Sequence, residues 1–217
     1  MNDAKLIWVT PNAEEMITRM ARVSAPKNQD NMETAPKLLR YLIKHKHWSP
    51  YEMANLCVEI NTTRAISPQI IRHRSFSFQE FSQRYADTSE LGSAVIPHLR
   101  RQDFKNRQNS TDDLVKTLGV SKLGGLYQRT SQLFKEAEQL YEEMVSSGVA
   151  KECARMILPL NTPTVLYMNG TIRSWIHYLQ LRCHESTQAE HREIAESIKR
   201  IFCKEFPVIG EAAFAED

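Results

Sequence analysis

The chain has 217 residues, 41% hydrophobic and 25% charged, with a formal net charge of +2. That is an ordinary folded composition with length for a real core, and so small a net charge predicts no broad nucleic-acid-binding surface. No apolar run approaches the roughly 20 residues that span a bilayer, and Met1 to Lys5 lacks a signal peptide's apolar stretch, so a cytoplasmic protein without a membrane partner is expected.

In chain order, Leu6 to Thr10 reads as a short strand and Ala13 to Ser24 as a helix, with Met16, Ile17, Met20 and Val23 on one stripe. Pro26 to Asn31 is loop-like, and helical spacing returns from Thr34 to His45. Ser49-Pro50-Tyr51-Glu52 has the form of a capping box with proline at the first helical position. Leu56, Val58, Ile60 and Thr62 alternate with Cys57, Glu59, Asn61 and Thr63, which predicts a strand. Ser67-Pro68 repeats the cap-then-proline start and opens a short helix that ends at Arg72-His73-Arg74. Residues 87–125 are polar and uneven, a long excursion that is partly helical.

From Leu126 to Ser147 the pattern is firmly helical and stops at Gly148. Ala150 to Leu158 reads as a further helix ending near Pro159, Thr164 to Met168 as a strand, and Ile172 to Cys183 as an amphipathic helix. Thr187 with Glu190 is a second capping-box candidate, opening a helix to about Phe202. Helix outweighs strand and the two do not alternate regularly, so the class is α+β, as a single domain over residues 1–217.

Cys57, Cys153, Cys183 and Cys203 are widely spaced and read as unpaired thiols of a reducing compartment. Cys183-His184-Glu185 with His191 lacks a recognisable second ligand pair, so no metal is expected. No glycine-rich dinucleotide turn is present. The chemistry concentrates elsewhere. Arg72, His73 and Arg74 lie in a row, and two guanidiniums so close suit an anion between them, above all phosphate. Glu80, Ser82 and Arg84 alternate, and an extended backbone would aim all three one way. Arg155 stands alone in the apolar run Cys153 to Leu160, where it needs either an internal carboxylate (Glu152 or Glu142) or an anionic ligand. Arg173 and His177 share a helix face, whereas Arg182, nine residues after Arg173, points the opposite way. Isolated arginines in three apolar segments argue for anionic ligands rather than for bulk solvent.

Arg72-His73-Arg74, seven residues, then Ser82 resembles the signature of the flavin-dependent thymidylate synthases. The likeness extends over nearly the whole chain, through His47-Trp48-Ser49-Pro50-Tyr51-Glu52, Ala154-Arg155-Met156-Ile157-Leu158-Pro159 and Arg173 to Arg182. It implies a mixed or antiparallel sheet flanked by helices. It also implies FAD as cofactor, dUMP as substrate, methylenetetrahydrofolate as one-carbon donor, NADPH as reductant, and a homotetramer whose active sites are shared between subunits. Carried over residue by residue, Ser49, Arg72, His73, Arg74, Glu80, Thr171, Ile172, Arg173 and His177 would face the flavin. Gln69, Ile70, Ile71, Arg72, Glu80, Phe81, Ser82, Gln83, Arg84, Arg155 and Arg182 would face the nucleotide, and His47 and Glu52 would touch flavin or folate. Reduction by NADPH would precede hydride delivery to the nascent methyl group. No enzymatic nucleophile is expected, because Ser82 lacks a strained Gly-x-Ser-x-Gly turn and a paired base. Arg182 is then the candidate for activating the uracil ring, by stabilising negative charge as it develops. Gln83 and His177 depart from residues common in relatives, Gly and Asn respectively.

Two other classes fit parts of the pattern. A non-catalytic nucleotide-binding regulator would use the same arginines without flavin. A single-stranded nucleic-acid binder would stack bases on Phe76, Phe78 and Phe81 between the cations.

Overall fold

A computed structural model describes residues 2–214. Its centre is a four-stranded antiparallel sheet in the order β1 (Asp3–Val9), β2 (Asn55–Thr63), β6 (Pro163–Thr171), β3 (Phe76–Glu80). Directly opposed residues share a face in such a sheet. The rows Leu56–Gly170–Phe76, Val58–Met168–Phe78 and Ile60–Leu166–Glu80 therefore form the inner face, and Leu56, Val58, Ile60, Leu166 and Met168 are wholly buried. The other face is polar, with Lys5 paired to Glu59 and the Tyr167 hydroxyl donating to Glu59 at 3.0 Å.

Five helices close the core: α1 (Ala13–Ala21), α2 (Ala35–Lys44), α7 (Ile172–Arg182), α8 (Ala189–Glu205) and α9 (Pro207–Phe214). Trp175 of α7 is fully buried and donates its indole N–H to the Leu56 carbonyl at 2.9 Å, fixing α7 on the sheet. Tyr51, also buried, reaches the Leu39 carbonyl at 2.8 Å. Glu14 accepts from the Val208 and Ile209 amides, satisfying free donors at the start of α9.

The remaining elements are peripheral, apart from Ile70 of the first, which is buried in the core cluster. They are α3 (Ser67–Ile70), a two-stranded ribbon of β4 (Arg101–Gln102) and β5 (Ser110–Thr111), α4 (Leu114–Leu118), α5 (Val120–Ser146) and α6 (Lys151–Ala154). Of the 27 residues in α5 only Leu123 and Tyr141 are buried.

Sequence and structure part company at helix starts. Neither Ser49, Ser67 nor Thr187 caps a helix with its side chain. Ser49–Glu52 is a 3-10 turn, the Ser67 hydroxyl is buried without a partner, and α8 begins after Gln188. Pro50 and Pro68 fix their own φ angles, so those turns form without a side-chain cap. The helix expected over Ala150 to Leu158 shrinks to α6 and a 3-10 turn at Arg155–Ile157. Conversely, β6 runs on to Thr171 and α5 begins at Val120, inside the polar excursion.

Candidate functional site

The Arg72–Arg74 cluster sits where α3 ends and β3 begins. The His73 amide donates to the Ile70 carbonyl and the Phe76 amide to the His73 carbonyl, each at 3.1 Å, so the cluster rides on two consecutive turns. Phe76 anchors the downstream side. Its ring lies flat on Gly170, where an added Cβ would be 2.3 Å from the ring, and meets Trp175 edge-on at 4.7 Å. Arg72 and Arg74 project from this anchored segment, exposed and without an ion-pair partner among the described residues.

His73 turns inward. Its Nε2 accepts from Arg182 Nε at 3.0 Å, and its ring meets the Tyr178 ring at 4.8 Å, nearly perpendicular. Arginine has no acceptor, so this bond requires a lone pair on Nε2 and a neutral imidazole. Burial, with the Arg182 charge second, pushes His73 down to about 4. Behind it, the Tyr178 hydroxyl is 2.9 Å from Nε2 of His191, which is fully buried and leaves its Nδ1 unpartnered. Burial lowers His191 to about 3, with further contributions from Arg182 and His73.

The start of α7 completes this end of the site. Thr171 caps the helix by accepting from the Ser174 amide at 3.2 Å, and the Ser174 hydroxyl reaches the Ser75 carbonyl at 3.3 Å. Arg173 is paired with Glu52, and the His177 ring meets Trp48 edge-on at 4.7 Å. Burial first, then Arg173, lowers the His177 imidazole below its usual range. Ser49, Glu52, Arg72, His73, Arg74, Thr171, Ile172, Arg173, His177 and Arg182 thus gather around one helix and one turn. Arg173 and Arg182 find different partners, as their spacing required.

A second group forms at the far end of β3. Glu80 is a carboxylate on the inner, apolar face, a costly position unless paired. It is held by Arg64 at 2.5 Å and by the Thr164 hydroxyl at 3.0 Å. The strand ends at Glu80, so Ser82 and Arg84 do not continue its alternation: Ser82 begins a turn, its carbonyl accepting from Tyr85 and Ala86. Arg84 pairs with Glu152 at 3.2 Å. That takes one of the two carboxylates considered for Arg155, and Arg155 pairs with neither; its Nε is buried without a partner, as is the Gln83 side-chain amide nitrogen. Each is a buried donor that carries a desolvation cost until an acceptor meets it.

The candidate nucleotide residues are therefore divided. Gln69, Ile70, Ile71, Arg72 and, through its bond to His73, Arg182 lie at the Phe76 end of β3, and Glu80, Phe81, Ser82, Gln83, Arg84 and Arg155 at its Glu80 end. The four steps from Phe76 to Glu80 set the two ends of the strand about 13 Å apart at ~3.3 Å per residue. Phe76 is only 9% exposed and Phe78 packs against the core, which removes two of the three rings a base-stacking surface would need.

Comparison with known proteins gives this arrangement its context. The family model described as thymidylate synthase complementing protein matches residues 5–208. A flavin-dependent thymidylate synthase of Synechocystis is 51% identical, over 92% of this chain and 88% of that protein. A probable flavin-dependent thymidylate synthase of Paramecium bursaria Chlorella virus 1 is 49% identical, over 96% and 97%. The chain belongs to the flavin-dependent thymidylate synthase family. Among solved structures, the UMP/dUMP methylase PolB of Streptomyces cacaoi, bound with 5-Br UMP, superposes with a TM-score of 0.82 at 25% identity, covering 96% of this chain and 92% of that one.

Family likeness did not reveal every residue that holds these groups in place. Arg64, which neutralises Glu80, and Thr164, which donates to it, look in sequence like the end of one strand and the start of another. Tyr178 reads as one more apolar position on α7, and His191 as a stray histidine near Cys183. Gln69 donates to Gln188 at 2.7 Å, Gln188 to Glu190 at 3.0 Å, and Glu190 pairs with Arg100 at 2.7 Å. Glu190 is thus spent on an arginine from the polar excursion rather than on a helix start. The sequence cue was the Thr187–Glu190 spacing, which reads as a capping box.

Proposed function

We propose that the protein is a flavin-dependent thymidylate synthase that methylates dUMP reductively to dTMP, with FAD as cofactor, methylenetetrahydrofolate as one-carbon donor and NADPH as reductant. The observation that carries this reading is the Arg182–His73 bond beside two unpaired arginines, in a chain about half identical to named synthases. A nucleotide-binding regulator would have no use for a guanidinium held by its Nε, with its paired Nη groups left free.

The residues present fit a flavin dinucleotide. Arg72 and Arg74 flank His73 in the chain, exposed and without an ion-pair partner among the described residues, which suits a pyrophosphate. Ser49, Thr171, Arg173 and His177 add hydroxyl, guanidinium and imidazole contacts nearby, with Ile172 as apolar support and His47 and Glu52 at the margin toward the folate. When bound, FAD supplies the hydride that completes the methyl group.

The chain's own residues divide the remaining work. Arg155, Arg84 and Ser82 hold the nucleotide phosphate, and the orphaned Arg155 and Gln83 donors gain acceptors there. Arg182 sits at the pyrimidine edge, where its free N–H groups stabilise negative charge as C5 becomes nucleophilic. Ser82 acts as a hydrogen-bond donor and not as a nucleophile, since no base contacts its hydroxyl among the described residues.

Arg182 and Arg155 sit toward opposite ends of β3, and both have to meet one dUMP. A homotetramer with sites shared between subunits resolves this. The outer helix α5 supports it, because Leu126, Leu133 and Leu140 recur every seventh residue and are 36%, 62% and 47% exposed. Among the described residues no helix is long and apolar enough to cross a membrane. All four cysteines are free, which supports a cytoplasmic setting. We read residues 1–217 as one domain, since helices from both chain halves share one core cluster.

The test is a visible spectrum of the purified protein with FAD, followed by NADPH with and without dUMP. Flavin retention and bleaching that responds to dUMP support the reading. Failure to retain flavin under every condition overturns it.

A further inference from the structure

The Tyr178–His191 pair is buried, polar and adjacent to the candidate catalytic arginine, yet neither residue is exposed enough to meet a ligand. Tyr178 is 2% exposed and His191 0%. A buried phenol and imidazole bonded to one another carry a desolvation cost that an apolar pair would avoid. Their position argues for a use. Tyr178 lies one turn before Arg182 on α7, and its ring walls one side of His73. His191, from α8, anchors the Tyr178 hydroxyl and places its own ring 6.4 Å from His73, at 82° to it. Phe76 closes another side at 6.5 Å, also near perpendicular. The titratable or charged groups facing His73 are thus Arg182 and Tyr178 from α7 and His191 from α8, with Arg72 and Arg74 beside it in sequence. No carboxylate contacts the cluster among the described residues.

We propose that Tyr178 and His191 are positioning residues for Arg182, acting through His73. They hold the His73 ring in the single orientation and neutral Nδ1–H tautomer in which Nε2 accepts from Arg182 Nε. That bond occupies the one guanidinium N–H that points along the side chain, and leaves the four Nη hydrogens presented as a fork. If His73 were protonated, its Nε2–H would face the Arg182 Nε–H, and the guanidinium would swing away. The Tyr178–His191 wall gives His73 a half-buried setting that disfavours its charged form, so its neutrality and the aim of Arg182 are one device. This inference rests on the synthase reading only for what Arg182 does when aimed.

The experiment uses the full-length protein with 15N-histidine labelling, His73 being assigned through a His73→Gln variant. Imidazole nitrogen shifts are followed against pH in the wild type and in Tyr178→Phe and His191→Leu, without added substrates. The expected wild-type result is an Nδ1–H tautomer that does not titrate above about pH 5. In both variants His73 should titrate closer to the free-imidazole value of about 6.5. In parallel, the acid limb of turnover should move up by at least about one pH unit, with kcat at its optimum reduced about ten- to a hundredfold by misaim, and FAD retention should be unchanged. Rescue is expected from His191→Gln, whose longer amide reaches the position of Nε2 and can still meet the phenol. A His73 tautomer and titration that are the same in wild type and variants overturn the proposal. A tautomer that responds as expected in a protein making no dTMP under any condition overturns the synthase reading instead, so the two failures are separable.

Discussion

Gly170→Ala should reach the candidate site through packing alone. The new Cβ would lie 2.3 Å from Phe76 Cδ1 and 2.6 Å from Cε1, against ordinary contacts of about 3.5 Å. The ring must therefore move by roughly 1 Å, and it is pinned by Trp175 on one side and lies in the chain two residues from Arg74. Overpacking of this kind costs about 1–3 kcal/mol. The displacement also passes along β3 into the Arg72–Arg74 turn, so flavin retention should fall with stability. The decisive comparison is made in a Phe76→Ala background. There the ring is gone, the β-region glycine is no longer required, and Gly170→Ala should become neutral or stabilising by up to about 1 kcal/mol through the unfolded chain. Urea denaturation at one fixed protein concentration reads all four corners of the cycle, with a coupling of at least about 1.5 kcal/mol expected. Equal destabilisation in both backgrounds refutes the ring-on-glycine account.

Acid should unfold the protein through His191. Its folded imidazole stays neutral to about 3, whereas the unfolded chain takes up the proton below 6.5; stability is full above pH 6.5 and declines as pH falls through that window. Over the drop from pH 7 to 5 the linkage is about 2 kcal/mol, at ~1.36 kcal/mol per pH unit, and His191→Gln should flatten the slope by that amount in denaturant melts; an unchanged slope contradicts the burial argument. Arg155→Met removes a cation with no protein partner, so stability should change by less than about 1 kcal/mol while dUMP Kd rises roughly ten- to a hundredfold; a large loss of stability with unaltered dUMP titration would mean the side chain serves the fold. Arg182→Ala should keep FAD while losing most turnover, and near-normal turnover removes Arg182 from the mechanism.

Much of this was legible in the sequence because the relevant residues announce themselves chemically. Leu56, Val58 and Ile60 alternate and form the buried face of β2; Trp175 and Tyr178 fall on the helix face that Ile172 to Cys183 predicted. Arg155 and Arg182 stood out as charges in apolar runs, and both proved to have unusual surroundings. What stayed hidden depends on contacts distant in the chain. Nothing near Glu80 points to Arg64 and Thr164, which meet it through strand register. The Ser49, Ser67 and Thr187 caps failed because proline had already fixed two of the turns and Glu190 was drawn to Arg100, 90 residues away. The alternation through Glu80, Ser82 and Arg84 failed for a simpler reason: β3 is an edge strand that ends at Glu80, and the chain turns to meet α6 instead.

Product analysis tests the central claim most directly. Purified protein is incubated with FAD, NADPH, methylenetetrahydrofolate and dUMP, and the nucleotide is identified by mass spectrometry, with each component omitted in turn. The account predicts dTMP that depends on all four and is lost in Arg182→Ala although the variant remains yellow. A protein that holds FAD and dUMP yet forms no dTMP, or one that forms it without flavin, would contradict the account.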